Sequence, residues 1–255
     1  MRRGQHWRVC FGLCLCLGVP ASAPAAEALL PAAEVRRLLE AAEEPGNVSR
    51  AIGLLEAIPK HATTADLLAL LAEAHYQRGH RTEDRDQAVQ TFERAIAHAD
   101  RALALAPGHV PARYWRAVSM LGMAGRLRGA ESFGLVRRAV SELDAVAAAD
   151  PALDTAGAHR ALGKVYLESP MWFLGDTEKA IEHLEKARAL VPHSLQNRRF
   201  LAEAYAEDGR EADALRELEG ILNTPPRPGR EASEQKERDL ARRMADRVRA
   251  RLKKP

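Results

Sequence analysis

Histidine and carboxylate side chains are the groups in this sequence that could carry acid–base chemistry or hold a metal ion. The chain has nine histidines, and they are scattered. His75 and His80 stand five residues apart and so do not share a helix face well, and His183 is far from both in sequence. No spacing typical of metal ligands links these three. We therefore predict surface or packing histidines, with no metal and no cofactor.

Catalytic motifs are also missing from the sequence. It contains no HExxH zinc motif, no P-loop, no GxSxG nucleophile elbow and no GxGxxG fingerprint. Glu178, Glu182 and Lys186 have the i, i+4 spacing that is typical of a solvated helix face. Because no acid, base or nucleophile is assembled, the sequence predicts a protein that is not an enzyme.

Apolar contact is the chemistry that the sequence does offer. Met171, Trp172 and Phe173 stand in a row between two amphipathic stretches, with Pro170 and Gly175 as the turn-forming residues around them. Turns are normally polar, so three large apolar side chains in one turn require something that covers them. This loop is the strongest candidate for a binding site.

Two interpretations of the loop remain open. In the first, Trp172 and Phe173 pack under their own helices and fill a gap. In the second, they line a cavity that binds a partner or ligand, together with Tyr166 and Trp115 on neighbouring helices.

The N-terminal segment has the composition of a secretory signal peptide. Three arginines within residues 2–8 precede an apolar stretch, Val9–Val19, and small residues follow up to Ala25. The apolar stretch is too short to span a membrane. We predict a signal peptide over residues 1–25, cleaved after Ala25, and hence a periplasmic protein; an uncleaved membrane anchor is the alternative.

All three cysteines, Cys10, Cys14 and Cys16, lie in this signal peptide. The mature chain would therefore have no disulfide, thiolate metal site or cysteine nucleophile. Leu13 and Leu15 precede two of the cysteines, where a lipoprotein signal has a small residue. Lipidation is therefore not expected.

Net charge argues against a nucleic-acid partner. Without the three arginines of the signal peptide, the chain carries 35 basic and 35 acidic residues. The charge is uneven, because residues 227–255 hold eleven Lys/Arg and five Asp/Glu. This pattern predicts a basic helix that covers the end of the fold, or else one that contacts an anionic surface.

An internal repeat in the sequence predicts the fold. "LAEAHYQRG" at 71–79 and "LAEAYAEDG" at 201–209 share five identical positions. The second stretch resembles the first helix of a tetratricopeptide repeat, a 34-residue helix pair closed by a proline. The repeat positions of the last two units are Leu162, Gly163, Ala180, Leu184, Ala187, Pro192, Leu201, Ala202, Tyr205, Ala214, Leu218 and Pro226.

The repeat residues have clear physical roles. Gly163 and Ala202 let two helices approach closely, while Gly79 and Gly209 suit helix C-caps. One helix pair cannot bury its apolar face alone, so neighbouring pairs must stack. The sequence predicts an all-α, tetratricopeptide-like solenoid of four to five antiparallel helix pairs over residues 26–226, followed by the basic capping helix over 227–255.

A narrower resemblance covers Gly157 to Gly209, in "GAHRALGKVY…SP…GDTEKAIEHLEKARALVP…LAEAYAEDG". This block, and the long helix ending "ADRALALAP", is similar to the T component of TRAP transporters. The resemblance implies association with a periplasmic solute-binding protein, and trimerisation around an apolar pore that takes a small hydrophobic ligand. Members of that family are often lipoproteins, whereas this chain lacks a convincing lipobox.

Two functions therefore remain open. The first is a non-enzymatic periplasmic scaffold that binds another protein. The second is a transport accessory that associates with a solute-binding protein and holds a small hydrophobic ligand. The sequence does not decide whether the chain forms homo-oligomers or associates with a membrane.

Overall fold

The computed structural model describes residues 23–227 and 230–252, with the side chains of residues 23–31 and 232 left out. The predicted signal peptide lies outside the described residues except for its last three positions, which begin the first helix. Within the described ranges the chain forms eleven α-helices, one 3₁₀ turn at Lys60–Ala62 and no strand. The helices are α1 Ala23–Glu40, α2 Asn47–Glu56, α3 Ala65–Arg81, α4 Arg85–Leu105, α5 Val110–Ala124, α6 Ala130–Ala149, α7 Leu153–Glu168, α8 Thr177–Leu190, α9 Leu195–Glu207, α10 Glu211–Asn223 and α11 Glu231–Leu252.

Side-chain caps start several of these helices. Thr64, Asp84, Asp176 and Ser194 each stand at an N-cap and accept a hydrogen bond from the backbone N–H three residues on. Each bond satisfies one of the backbone donors that the first turn leaves free. Gly209 follows α9 with a φ of 73°, in the left-handed region, as the prediction of a C-cap glycine requires.

The helices stack as consecutive antiparallel pairs. α3 packs on α4, α5 on α6, α7 on α8 and α9 on α10, and α3, α5, α7 and α9 also contact one another in sequence. α1 and α2 precede these four pairs, and α11 packs against α9 and α10. The array is the all-helical solenoid that the repeat pattern predicts.

The repeat positions form the core as predicted. In the last two units every apolar repeat residue is buried, from Leu162 and Ala180 to Ala214 and Leu218. Pro192 and Pro226 are exposed and stand two and three residues beyond the ends of α8 and α10. The prolines therefore follow the helices that they were expected to close.

Gly163 is a point of close approach between α7 and α8. A Cβ added there would stand 2.5 Å from Cγ of Leu184, on α8. Real Cβ atoms do not approach so closely, so the backbone of α7 occupies space that any larger residue would need. The small-residue position that the repeat predicts is confirmed here.

Gly79 was predicted as a helix C-cap, and that prediction is wrong. Gly79 lies inside α3, which continues to Arg81 and is capped at Thr82. A Cβ on Gly79 would stand 2.9 Å from the ring of Phe92, on α4. The glycine serves close helix packing rather than chain reversal, two roles that sequence alone does not separate.

Candidate functional site

The loop between α7 and α8 is a compact turn. The carbonyl of Pro170 accepts backbone hydrogen bonds from Phe173, Leu174 and Gly175, at 2.9, 3.2 and 2.9 Å. The N–H of Asp176 donates to the carbonyl of Tyr166 at 2.9 Å and so closes the loop onto the end of α7. These bonds fix the backbone that carries the three apolar side chains.

Position 175 requires glycine because the backbone of the loop passes very close to it. A Cβ on Gly175 would stand 2.8 Å from the backbone nitrogen of Met171 and would also meet the carbonyl of Ser169. One residue on, the Asp176 carboxylate accepts a hydrogen bond from the N–H of Lys179 at 3.0 Å and starts α8. The loop therefore has a defined shape set by its own sequence.

The loop places its aromatic rings against the start of α6. Phe133, in the first turn of α6, meets Trp172 and Phe173 edge to face, with ring centroids 5.2 and 4.7 Å apart. The guanidinium of Arg137 lies 5.2 Å from the centre of the Phe173 ring. These are favourable aromatic and cation–π geometries. We call Phe133, Met171, Trp172 and Phe173 the aromatic patch.

The aromatic patch is open to solvent. Met171 is 92% exposed and Trp172 is 74% exposed, whereas Phe173 is partly covered. Packing of Trp172 beneath its own helices, the gap-filling interpretation, is not what the structure shows. The rings also form a surface rather than the wall of a cavity, so neither sequence interpretation describes the geometry fully.

Phe133 is a member of the patch that the sequence analysis missed. The buried stripe of α6 is Ala139, Leu143 and Val146, and Phe133 does not follow this spacing. The sequence offered one signal for this role: Phe133 is an aromatic residue in the first turn of a helix that does not belong to the buried stripe. Its partners lie about forty residues away along the chain, and sequence spacing does not reveal that contact.

Tyr166 and Trp115 lie apart from the aromatic patch. Tyr166 stacks on His183, with centroids 5.6 Å apart, and Nζ of Lys179 lies 5.7 Å from its ring. Trp115 is only 8% exposed and contacts the rings of Tyr76 and Tyr114 at 5.5 and 4.8 Å. The structure therefore brings three of the five candidate binding residues together, and Trp115 belongs to the packed core.

A partly buried polar network adjoins that core cluster. The Tyr114 hydroxyl donates to the Asp154 carboxylate at 2.5 Å, and Arg160 forms an ion pair with the same carboxylate at 2.8 Å. Burial, reinforced by the negative charge of Asp154, raises the pKa of Tyr114 well above its usual value. The network fixes the start of α7 against α5.

The start of α7 has an unusual backbone. Asp154, Thr155 and Ala156 have φ values of 49°, 55° and 61°, in the left-handed region that non-glycine residues rarely adopt. Nη1 of Arg160 donates to the carbonyls of Asp154 and Thr155, and Nδ2 of Asn197 donates to the carbonyl of Thr155 at 3.0 Å. These side chains hold a turn whose backbone is strained.

Two histidines that are distant in sequence meet between α7 and α8. Nδ1 of His159 lies 3.0 Å from Nδ1 of His183, so one ring donates a hydrogen bond and the other accepts it. Burial lowers the pKa of both imidazoles, which favours the neutral forms that this bond needs. Within the described ranges, no group of three or more His, Cys, Asp or Glu side chains is placed to hold a metal ion.

No helix in residues 23–227 or 230–252 combines the length and the apolar character needed to cross a bilayer. This finding concerns only those residues.

Comparison with known proteins supports the repeat assignment. Residues 174–231 match the family model for the tetratricopeptide repeat. TTC0263, a thermophilic TPR protein of Thermus thermophilus, is similar in fold, with a TM-score of 0.60 and 20% identity over 81% of this chain and 98% of its own. MamA of Desulfovibrio magneticus RS-1 gives a TM-score of 0.49 and 22% identity over 75% of this chain and 93% of its own. No curated protein sequence matches this chain. The family-model match and the similarity to TTC0263 show a tetratricopeptide-like solenoid fold.

Proposed function

We propose that this protein is a non-enzymatic scaffold that binds another protein through the aromatic patch. The observation that carries the proposal is Trp172, a large aromatic side chain that is 74% exposed on a turn whose backbone is fixed by hydrogen bonds. Exposed aromatic residues on rigid supports lose little conformational entropy when a partner covers them. Tryptophan is also among the residue types most enriched at the energetic centre of protein interfaces.

The surroundings of the patch suit a protein partner. Met171 adds a flexible apolar side chain beside the rings, and Arg137 adds a charged group at the edge of the patch. An apolar centre with a polar rim is the usual anatomy of a protein interface. A tetratricopeptide-like solenoid supplies a stiff support for it, because each helix pair is packed on its neighbours.

We propose a periplasmic location, which the signal-peptide pattern of residues 1–25 supports. The sequence resemblance of Gly157–Gly209 to TRAP-transporter T components makes a solute-binding protein the partner that we propose in that compartment. This narrower function is a second candidate, and it rests on that resemblance.

A small hydrophobic ligand, the other part of the second candidate, would need an apolar site. Two cavities lie near the C-terminal end. The one of about 360 Å³ is lined mostly by charged side chains and does not favour an apolar ligand, whereas the one of about 220 Å³ has a mixed lining of five charged and four apolar residues. The exposed aromatic patch is the apolar surface that supports such binding best.

A pair of single substitutions tests the proposal. Trp172→Ala removes the largest exposed ring of the patch, and Leu105→Ala removes a similarly exposed apolar side chain at the end of α4 as a control. Tagged wild-type protein and both variants are used to recover partners from the periplasm, and each recovered protein is identified by mass spectrometry.

We expect the wild type and the Leu105 variant to recover the same partner, and the Trp172 variant to lose it while keeping its melting temperature. A solute-binding protein as that partner supports the transport candidate. Equal recovery by all three proteins, or a Trp172 variant that unfolds, would overturn the proposal.

A further inference from the structure

A second surface of this chain, which shares no residue with the aromatic patch, has the composition of an anion site. A cavity of about 360 Å³ lies among α8, α9 and α10. Its lining residues, here called the arginine cavity, are Arg188, Arg198, Tyr205, Arg210, Asp213, Arg216 and Glu217. The volume is at the lower end of the range for small-molecule sites.

The arginine cavity has more positive than negative groups. Four guanidinium groups share two carboxylates, so the wall carries a net charge of +2. Asp213 pairs with Arg210 and Arg216, and Glu217 pairs with Arg188 and Arg198. Each guanidinium has five N–H donors, so two carboxylates leave many of these donors without a charged acceptor.

One donor inside the site lacks a hydrogen bond. Nε of Arg188 is buried and makes no hydrogen bond to any described residue. It lies 3.5 Å from Oε1 of Glu217, which is close enough for an ion pair but does not satisfy the donor. A buried N–H without an acceptor is costly. Because this atom is enclosed by protein, an anion in the cavity would meet the accessible part of the Arg188 side chain, which is 38% exposed, and not Nε itself.

The packing around the cavity holds the guanidinium groups of Arg198 and Arg210 in place. Nε of Arg198 donates to the carbonyl of Pro192 at 3.1 Å, and Nη1 occupies the space that a side chain at position 220 would need, because residue 220 is glycine. The guanidinium of Arg210 lies 4.2 Å from the centre of the Tyr205 ring. The Tyr205 hydroxyl donates to Glu185, which is not one of the lining residues.

We propose that the arginine cavity binds a dianionic phosphate group, as free phosphate or as a small phosphate ester. A phosphate carries about two negative charges near neutral pH, which matches the excess charge of the wall. Its oxygens accept paired hydrogen bonds from guanidinium forks, a geometry that lysine does not reproduce. This site is independent of the partner-binding function proposed above.

The first test uses inorganic phosphate as the ligand. Its binding is measured by calorimetry at constant ionic strength. The wild type should bind it saturably at one site per chain, with a dissociation constant below about 1 mM. The double variant Arg188→Gln/Arg216→Gln should bind it more weakly by about tenfold or more, because two charge-assisted donors are removed. Glycerol phosphate distinguishes an ester from the free ion by its relative affinity.

Two controls keep the result specific. Arg249→Gln, which removes an exposed arginine on α11 that pairs with Glu219, should bind phosphate as the wild type does. Trp172→Ala should also bind normally, so failure of the partner proposal and failure of this one are distinguishable. If the double variant does not fold, Arg216→Gln alone gives the readout, since that side chain is 75% exposed.

Absence of saturable phosphate binding in the millimolar range would overturn the proposal. Equal binding by the double variant and the wild type would also overturn it. Binding of an acidic peptide without binding of phosphate would show an acidic protein segment as the ligand and would contradict it as well.

Discussion

At the scale of single residues, side-chain volume decides how closely the two helices of a pair can pack. Gly163 and Leu184 illustrate this, because the backbone of α7 lies where a Cβ would meet the leucine. The sequence predicted this contact, because a small residue at that position of the repeat lets the two helices of a pair approach closely. Gly79 was misassigned because a glycine near the end of a helix fits either a close contact or a cap.

Replacing Gly163 by leucine should destabilise the protein by about 1–3 kcal/mol, because an added side chain forces α7 and α8 apart. Gly134→Ala is the matched control, since a Cβ at that position of α6 meets nothing within 4 Å. Alanine there should raise stability by up to about 1 kcal/mol through helix propensity. Urea unfolding measures the free energy of unfolding of both variants. Equal values would contradict the close contact between α7 and α8.

His75 is expected to make stability fall in acid. It is 2% exposed, stacks on His98 and has neither ring nitrogen hydrogen-bonded to a described residue. Burial, helped by His98, Arg78 and Arg94, lowers its pKa from 6.5 to about 4. The unfolded chain therefore binds a proton near pH 6 that the folded chain does not, so stability is lost as pH falls from 6.5 to 4.

His75→Phe isolates this effect, because phenylalanine fills the site and does not titrate. The variant should gain about 3 kcal/mol relative to the wild type between pH 6.5 and pH 4, because each tenfold loss of proton affinity in the folded chain corresponds to about 1.4 kcal/mol. Unfolding free energies at several pH values measure it. A difference that is constant across this range would contradict the assigned burial of the imidazole.

At the scale of helices and turns, the entry into α7 shows what local sequence rules do not predict. A proline at position 151 and an Asp-Thr pair suggest an ordinary helix start, yet three consecutive residues are left-handed. Arg160 and Asn197 hold this turn by hydrogen bonds, and Asn197 comes from another helix about forty residues on. Long-range side-chain contacts of this kind override local propensity.

Thr155→Gly should stabilise the protein by about 1 kcal/mol, because glycine adopts left-handed φ without the steric cost that a β-branched residue incurs. Ala161→Gly is the control in the right-handed part of α7 and should lose about 1 kcal/mol through helix propensity. Thermal unfolding should show a higher melting temperature for Thr155→Gly and a lower one for Ala161→Gly. A loss of stability in both would show that the turn is not left-handed in solution.

At the scale of the whole molecule, the repeat explains why the fold could be predicted from the sequence, whereas the candidate site could be predicted only in part. Core positions recur at fixed spacing, so Leu184 and Leu218 were assigned from sequence alone. The aromatic patch depends on Phe133 meeting Trp172, and the arginine cavity depends on three helices converging. Such contacts depend on how successive helix pairs stack on one another. The sequence around each residue does not reveal this stacking.

The signal-peptide pattern makes a separate prediction about the mature chain. N-terminal sequencing of the protein from cells should find a chain that starts after Ala25, because small residues there suit cleavage. An intact N-terminus, or a lipid on Cys14 or Cys16, would contradict export by cleavage and would attach the protein to a membrane.

The most direct test of partner binding is a cross-link from the aromatic patch in living cells. A photoreactive phenylalanine analogue replaces Trp172, and the same analogue replaces Leu105 as the control, since both side chains are exposed. The account predicts one dominant cross-linked product from position 172, of constant mass and identity, that is absent from position 105. No cross-link from position 172, or the same products from both positions, would contradict the aromatic patch as a binding surface.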